Sequence, residues 1–107
     1  MKPPTAATLR KYGLSAGDWL DILERQEGKC AVCRKPPKRF LHIDHEHVRG
    51  WKTLPPEKRK QFVRGLLCWF CNANYVGRSI TIAKSERVTA YLKAHLERMV
   101  LAGLGLG

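Results

Sequence analysis

Two pairs of cysteines, Cys30/Cys33 and Cys68/Cys71, bracket a dense group of histidines and carboxylates, His42-Ile-Asp44-His45-Glu46-His47, and Asn72 follows the last cysteine directly. Four thiols in two Cys-x2-Cys knuckles supply a tetrahedral site of the kind that binds structural zinc. The 34 residues between Cys33 and Cys68 exceed the usual spacing of about 15–20, which makes the metal a clasp across the base of whatever they form. Two disulfides or unligated thiols are the other readings of the same residues.

The bracketed group fits a second kind of chemistry. Hydrolysis of a phosphodiester by one hard cation needs oxygen or nitrogen ligands, open positions for phosphate oxygens, and a neutral imidazole to take a proton from water. Asp44 offers an anionic oxygen and Asn72 a neutral one, while His45 titrates ordinarily near neutral pH. A zinc clasp would bring Asn72 towards the segment carrying Asp44. Solvated loop residues or further zinc ligands would leave the same letters. His47 stands two positions beyond His45, and in an extended chain shares its side; it is a further catalytic candidate. His42, two before Asp44, is placed similarly.

These residues sit in a strongly basic chain. Among 107 residues, 20 Lys and Arg against 9 Asp and Glu give a formal net charge of +11. That balance points to a polyanion, because each cation set on a phosphate releases condensed counterions. A nucleic acid contacted mainly through phosphates is the expected partner, since no segment reads as a base-reading element. The chain has no run of about 18 apolar residues that would span a bilayer. Its start, broken by Pro3 and Pro4, is unlike a secretory signal. A cytoplasmic protein with reduced thiols is the expectation, and there paired knuckles mean metal more often than disulfide.

The elements that must position the site are legible in outline. Residues 1–14 read as a polar, basic lead-in. Ser15 and Asp18 form a capping box ahead of Trp19, Leu20, Ile22 and Leu23, and Gly28 stops that helix. Prolines keep residues 34–39, four of them basic, out of regular structure. Residues 40–43 read as a strand, and residues 62–67 as a second strand delivering Cys68. Together they predict a hairpin with the acid–histidine group near the end of its first strand. Pro55 and Pro56 start a helical turn over residues 57–60. A short helix is expected from Cys71 through Asn74, Tyr75 and Val76 towards Gly77. The clearest periodicity runs from Lys84 to Ala102, with Val88, Tyr91, Leu92, His95, Leu96, Met99 and Val100 on one side. That side packs on the chain's own core or forms a homodimer seam, with His95 a packed histidine. Trp51 and Trp69 are base-stacking candidates; packing against the core or clasp is the expectation for Trp69, and both readings stand for Trp51. A zinc-ribbon-like nucleic-acid-binding module without catalysis is the competing functional class.

The order Cys-x2-Cys, Asp-His-Glu-His, then Val63-Arg-Gly-Leu-Leu-Cys68-x2-Cys71-Asn72 resembles the phage recombination endonuclease VII family, among the HNH or ββα-metal (His-Me finger) nucleases. The resemblance spans roughly residues 30–78. It implies an α+β fold, a small ββα-metal core clasped by a four-cysteine zinc site with flanking N- and C-terminal helices. The single domain would comprise a lead-in and helix over 1–29, the core over 30–78 and a helix over 79–107. By the same resemblance Asp44 and Asn72 hold a catalytic Mg2+ or Mn2+, and His45 is the general base. Cys30, Cys33, Cys68 and Cys71 hold Zn2+, the substrate is DNA that includes branched junctions, and a homodimer forms. Two positions depart from the pattern. Glu46 stands where the family often has Asp, and no Asn lies between His45 and Cys68 to orient the base.

Overall fold

The structure, a computed structural model, describes residues 1–75 and 82–104, with the backbone alone at 74, 75 and 82–84. Its order starts with two helices, α1 (Ala6–Lys11) and α2 (Ala16–Arg25). The strand β1 (His42–His45), the short helix α3 (Pro56–Lys60), the strand β2 (Val63–Leu67) and the long helix α4 (Ile82–Leu101) follow. This is an α+β fold with a two-stranded antiparallel sheet. Among the described residues, no helix is long and apolar enough to cross a membrane.

The cap of α2 forms as its residues dictate. Ser15 Oγ accepts from the Asp18 N–H at 3.0 Å, and Asp18 accepts in return from the Ser15 N–H at 2.9 Å. That backbone donor, helped by Lys60 at 3.0 Å, holds the Asp18 carboxyl below its ordinary range. Trp19 is buried, and Gly28 ends the turn at φ +73° with its N–H on the Leu23 carbonyl. The lead-in is more structured than its composition indicates. Thr5 caps α1, and Leu9 and Leu14 enter the core. Six residues are too few for a periodic pattern, so burial rather than periodicity reveals this helix. Gly13 joins α1 to α2 at φ +71°, and a Cβ there would lie 1.9 Å from the Pro56 carbonyl oxygen. Only glycine allows α3 to approach so closely.

The hairpin pairs His42 with Leu67, Ile43 with Leu66 and Asp44 with Gly65, then slips so that His45 faces Val63. Arg64 is the extra residue of this bulge, which bends the strand where the acid–histidine group sits. The first strand lies two residues further on than the sequence indicates, so Asp44 and His45 are inside it. Its reach is set by pairing: β2 offers partners from Val63 to Leu67, and the Glu46 N–H continues the ladder to the Phe62 carbonyl. Leu66, Leu67, Leu41 and Val32 form the core against Trp19, Cys30, Cys71 and Tyr91.

Pro56 occupies the first turn of α3 as expected. A 3-10 turn at Trp51–Thr53, absent from the sequence reading, breaks the connection before it. The helix after the second knuckle is a π-helical turn over Cys71–Tyr75; Val76 and Gly77 lie outside the described residues. Along α4, Tyr91 and His95 are buried, Val88 and Leu92 half-buried, and Leu96, Val100 and Leu101 exposed. The apolar side therefore packs on the chain's own core at its middle and faces outward at its end.

Candidate metal centre and hairpin site

The four thiols meet. All four Sγ atoms lie within 4.8 Å of one another, with Cys33 and Cys68 4.0 Å apart, and none is in a disulfide. Zinc with Zn–S bonds of about 2.3 Å sets tetrahedral sulfurs about 3.8 Å apart, so the cluster fits that ion after a small contraction. Burial and the neighbouring thiols push Cys71 well up, and burial also raises Cys33. Around Cys30 burial acts the same way, but backbone donors led by Cys68 outweigh it and lower the thiol. Such crowding favours a cation, which alone lets several thiolates share one small volume. The first knuckle turns on Arg34 at φ +63°, whose N–H reaches the Cys30 carbonyl, while the Cys30 N–H reaches the Lys35 carbonyl.

A residue without a motif ties this clasp to the hairpin. Gln26 is 5% exposed; its Oε1 accepts from the Leu66 N–H at 2.8 Å and its Nε2 donates to the Leu66 carbonyl at 2.8 Å. It thus completes the β2 edge as another strand would, and the Ala31 N–H adds a bond to the same carbonyl. The Gln26 side chain is why a glycine stands at position 65, where a Cβ would come within 2.9 Å of Oε1 and 3.0 Å of Tyr91.

Asp44 points inward, 4% exposed. Arg64 grips it with two bonds, Nε to Oδ2 at 2.8 Å and Nη2 to Oδ1 at 3.1 Å, and the Tyr91 hydroxyl donates to Oδ2 at 2.5 Å. Burial and the Asp44 carboxylate push the Tyr91 hydroxyl far up, so it stays a donor. Asn72, its expected metal-binding companion, is exposed, and among the described residues no hydrogen bond joins the two. A carboxylate and an amide are suitable donors for a hard cation, but both Asp44 oxygens are committed to Arg64 and Tyr91.

His45 turns the other way. Its ring stacks on Trp51 at 4.2 Å between centroids, and the rings of His47 and Tyr12 lie 4.9 and 5.5 Å away. Burial, with help from His47 and Arg64 and against Asp44, lowers its pKa. The imidazole is therefore neutral at neutral pH and can accept a proton. Trp51 is held in turn by Arg59, whose guanidinium stands 5.6 Å over the indole and donates to the carbonyls of Trp51, Lys52 and Lys11. No signal in the sequence marked Arg59, because its partners come from separate segments. His95 is packed, as its helical position indicates, and its Nε2 lies 3.3 Å from Glu46. His42 sits beside Phe40 at 4.9 Å. Trp69 overturns its expectation: it is 65% exposed, because the turn after Cys68 carries it outward while Cys71 faces the core.

Similarity to known proteins gives the site its context. The profile of the recombination endonuclease VII family matches residues 5–94. The chain belongs to that family. The gene 59 proteins of Mycobacterium phages L5 and D29 are each 34% identical to it over 71 residues, 64% of this chain. Those 71 residues are 37% and 36% of the two phage proteins, so the chain spans little more than a third of the relatives' length. No solved structure matches significantly. The residues matched by the endonuclease VII profile take in both knuckles and the hairpin group between them.

Proposed function

We propose that this chain is a metal-dependent DNA endonuclease of the HNH, or ββα-metal, type. The observation that carries the reading is His45: a neutral, ring-packed imidazole at the end of β1, adjacent in sequence to a buried carboxylate, in a chain of an endonuclease family. His45 takes the proton from the attacking water, and Trp51 and His47 hold its ring in place. Asp44 and Asn72 are the residues that would hold Mg2+ or Mn2+, once Arg64 gives up its place as the carboxylate's counter-charge. When bound, that ion supplies charge stabilisation to the phosphate and the leaving oxygen. His47, exposed beside His45, is positioned to meet a phosphate.

DNA is held mainly by its phosphates. Five arginines (Arg25, Arg34, Arg64, Arg87 and Arg98) border a cavity of about 340 Å³ beside Tyr91, and among the described residues no acidic side chain lines it. The chain would form a single domain, with α1 and α2 leading into the clasped hairpin and α4 following it. Two copies would associate through the exposed Leu96, Val100 and Leu101 of α4. The phage relatives favour action in the cytoplasm of an infected bacterium, and branched junctions are the substrate that the family's recombination name favours.

Supercoiled plasmid with Mg2+ or Mn2+ tests the reading. Nicked or linear product from wild type, lost by about 100-fold or more in His45→Ala, is the expected result for removal of a general base. If neither protein cuts while both bind DNA, the chain is a zinc-ribbon-like binding module.

A further inference from the structure

Next to the clasp, three large aromatic side chains face outward: Phe40 at 57% exposure, Trp69 at 65% and Phe70 at 51%. They come from two different segments, the proline-rich loop and the turn between Cys68 and Cys71. Together they line one cleft of about 710 Å³. Lys35, Lys38 and Arg39 border the same cleft, and among the described residues no Asp or Glu does. A cleft of this size lies within the roughly 300–1,000 Å³ that small organic ligands occupy. Leaving such rings more than half in water forgoes much of the hydrophobic gain of packing them. The pattern of flat apolar rings beside unbalanced cations matches a chain of flat bases joined by phosphates.

We propose that this cleft binds unpaired nucleotides of DNA, stacking bases on Trp69 and Phe40 while Lys35, Lys38 and Arg39 take the flanking phosphates. Every base has a π-face, so such stacking is tolerant of sequence. The bases of an intact duplex already stack on one another and present only their edges, so the cleft distinguishes unpaired from paired strands. This inference rests on the proposed nuclease and adds to it a separate surface, beside the clasp, for a strand whose bases are out of the helix. His42 lines the same cleft and is the first residue of β1, so the bound strand would lie along the hairpin that carries His45.

The probe is a fluorescein-labelled oligothymidylate of about eight nucleotides, within the span of small single-strand sites, compared with a labelled duplex by anisotropy without added divalent ions. Wild type should bind the oligothymidylate with quenching of tryptophan emission. Trp69→Ala and, separately, Phe40→Ala should each weaken that binding by about tenfold and duplex binding by less than about twofold, and Trp69→Phe should restore most of it. Phe40 lies outside the clasp, so its variant decides the matter if Trp69→Ala loses zinc. Equal weakening for both DNAs, or no weakening in Phe40→Ala, overturns the proposal. So does loss of a wild-type dimer in Phe40→Ala by light scattering with oligothymidylate binding intact, which would make the cleft a contact between copies. Binding here requires no turnover. Failure of plasmid cleavage therefore refutes the nuclease alone, and failure of this measurement refutes the cleft alone.

Discussion

Tyr91 and Asp44 are joined by a hydroxyl-to-carboxylate bond of 2.5 Å across 47 residues of sequence, and both are almost fully buried. This bond attaches α4 to the hairpin at the residue proposed to bind the catalytic ion. It also satisfies a carboxylate whose other side-chain hydrogen bonds, among the described residues, come from Arg64.

Tyr91→Phe should therefore destabilise the fold by about 1–3 kcal/mol, the usual cost of leaving a buried polar group short of a partner. Thermal unfolding monitored by circular dichroism would register it as a lower midpoint. An unchanged midpoint would mean that Asp44 finds another donor without cost.

Metal and fold should be inseparable. One zinc per chain is expected by atomic emission, and its removal by a strong chelator should unfold the knuckles and the hairpin they clasp, because ion binding here is folding free energy. Cys71→Ser, at a fully buried ligand, should reproduce the loss. Native-like circular dichroism after complete zinc removal would contradict the clasp.

Buried His95 should make stability depend on pH. Burial lowers its pKa, with Arg98 and Arg64 acting in the same direction, while its contact with Glu46 only partly opposes them. A folded value below the unfolded one, about 6.5, means that the unfolded chain takes up the proton first. The contribution of neutral His95 is full above that value and is lost as pH falls through the folded one. Denaturant melts between about pH 7.5 and 5, spanning that unfolded value, should show a shallower decline for His95→Gln than for wild type. Parallel curves would remove His95 from the acid response.

Gly65→Ala should cost about 1–3 kcal/mol by overpacking, since the new methyl group meets Gln26 and Tyr91 at once. Chemical denaturation would measure this, and the paired variant Gly65→Ala/Gln26→Ala should show non-additive loss if the two side chains share that space.

The family, the clasp and the capped helix were legible because each rests on local chemistry: thiols at knuckle spacing, Ser15 and Asp18 three apart, Gly28 at a helix end. The hairpin was legible in kind, but its first strand was displaced by two residues, since a strand ends where its partner stops offering backbone groups. The outward turn of Trp69 and the short helix α1 were not legible, since composition does not say which side of a turn meets the core.

The sequence by itself determined which groups are available, namely four thiols, an Asp44-His45 pair and an excess of cations, and short-range covalent geometry was enough to bring the two residues of each knuckle together. Only the tertiary structure decided what those groups face. It set Asp44 against Arg64 and Tyr91, turned His45 to Trp51, and completed the edge of β2 with Gln26. The physical reason is that such contacts join segments up to 47 residues apart. Their partners are chosen by how α2 and α4 bury their apolar sides against one small sheet, and no spacing along the chain encodes that choice.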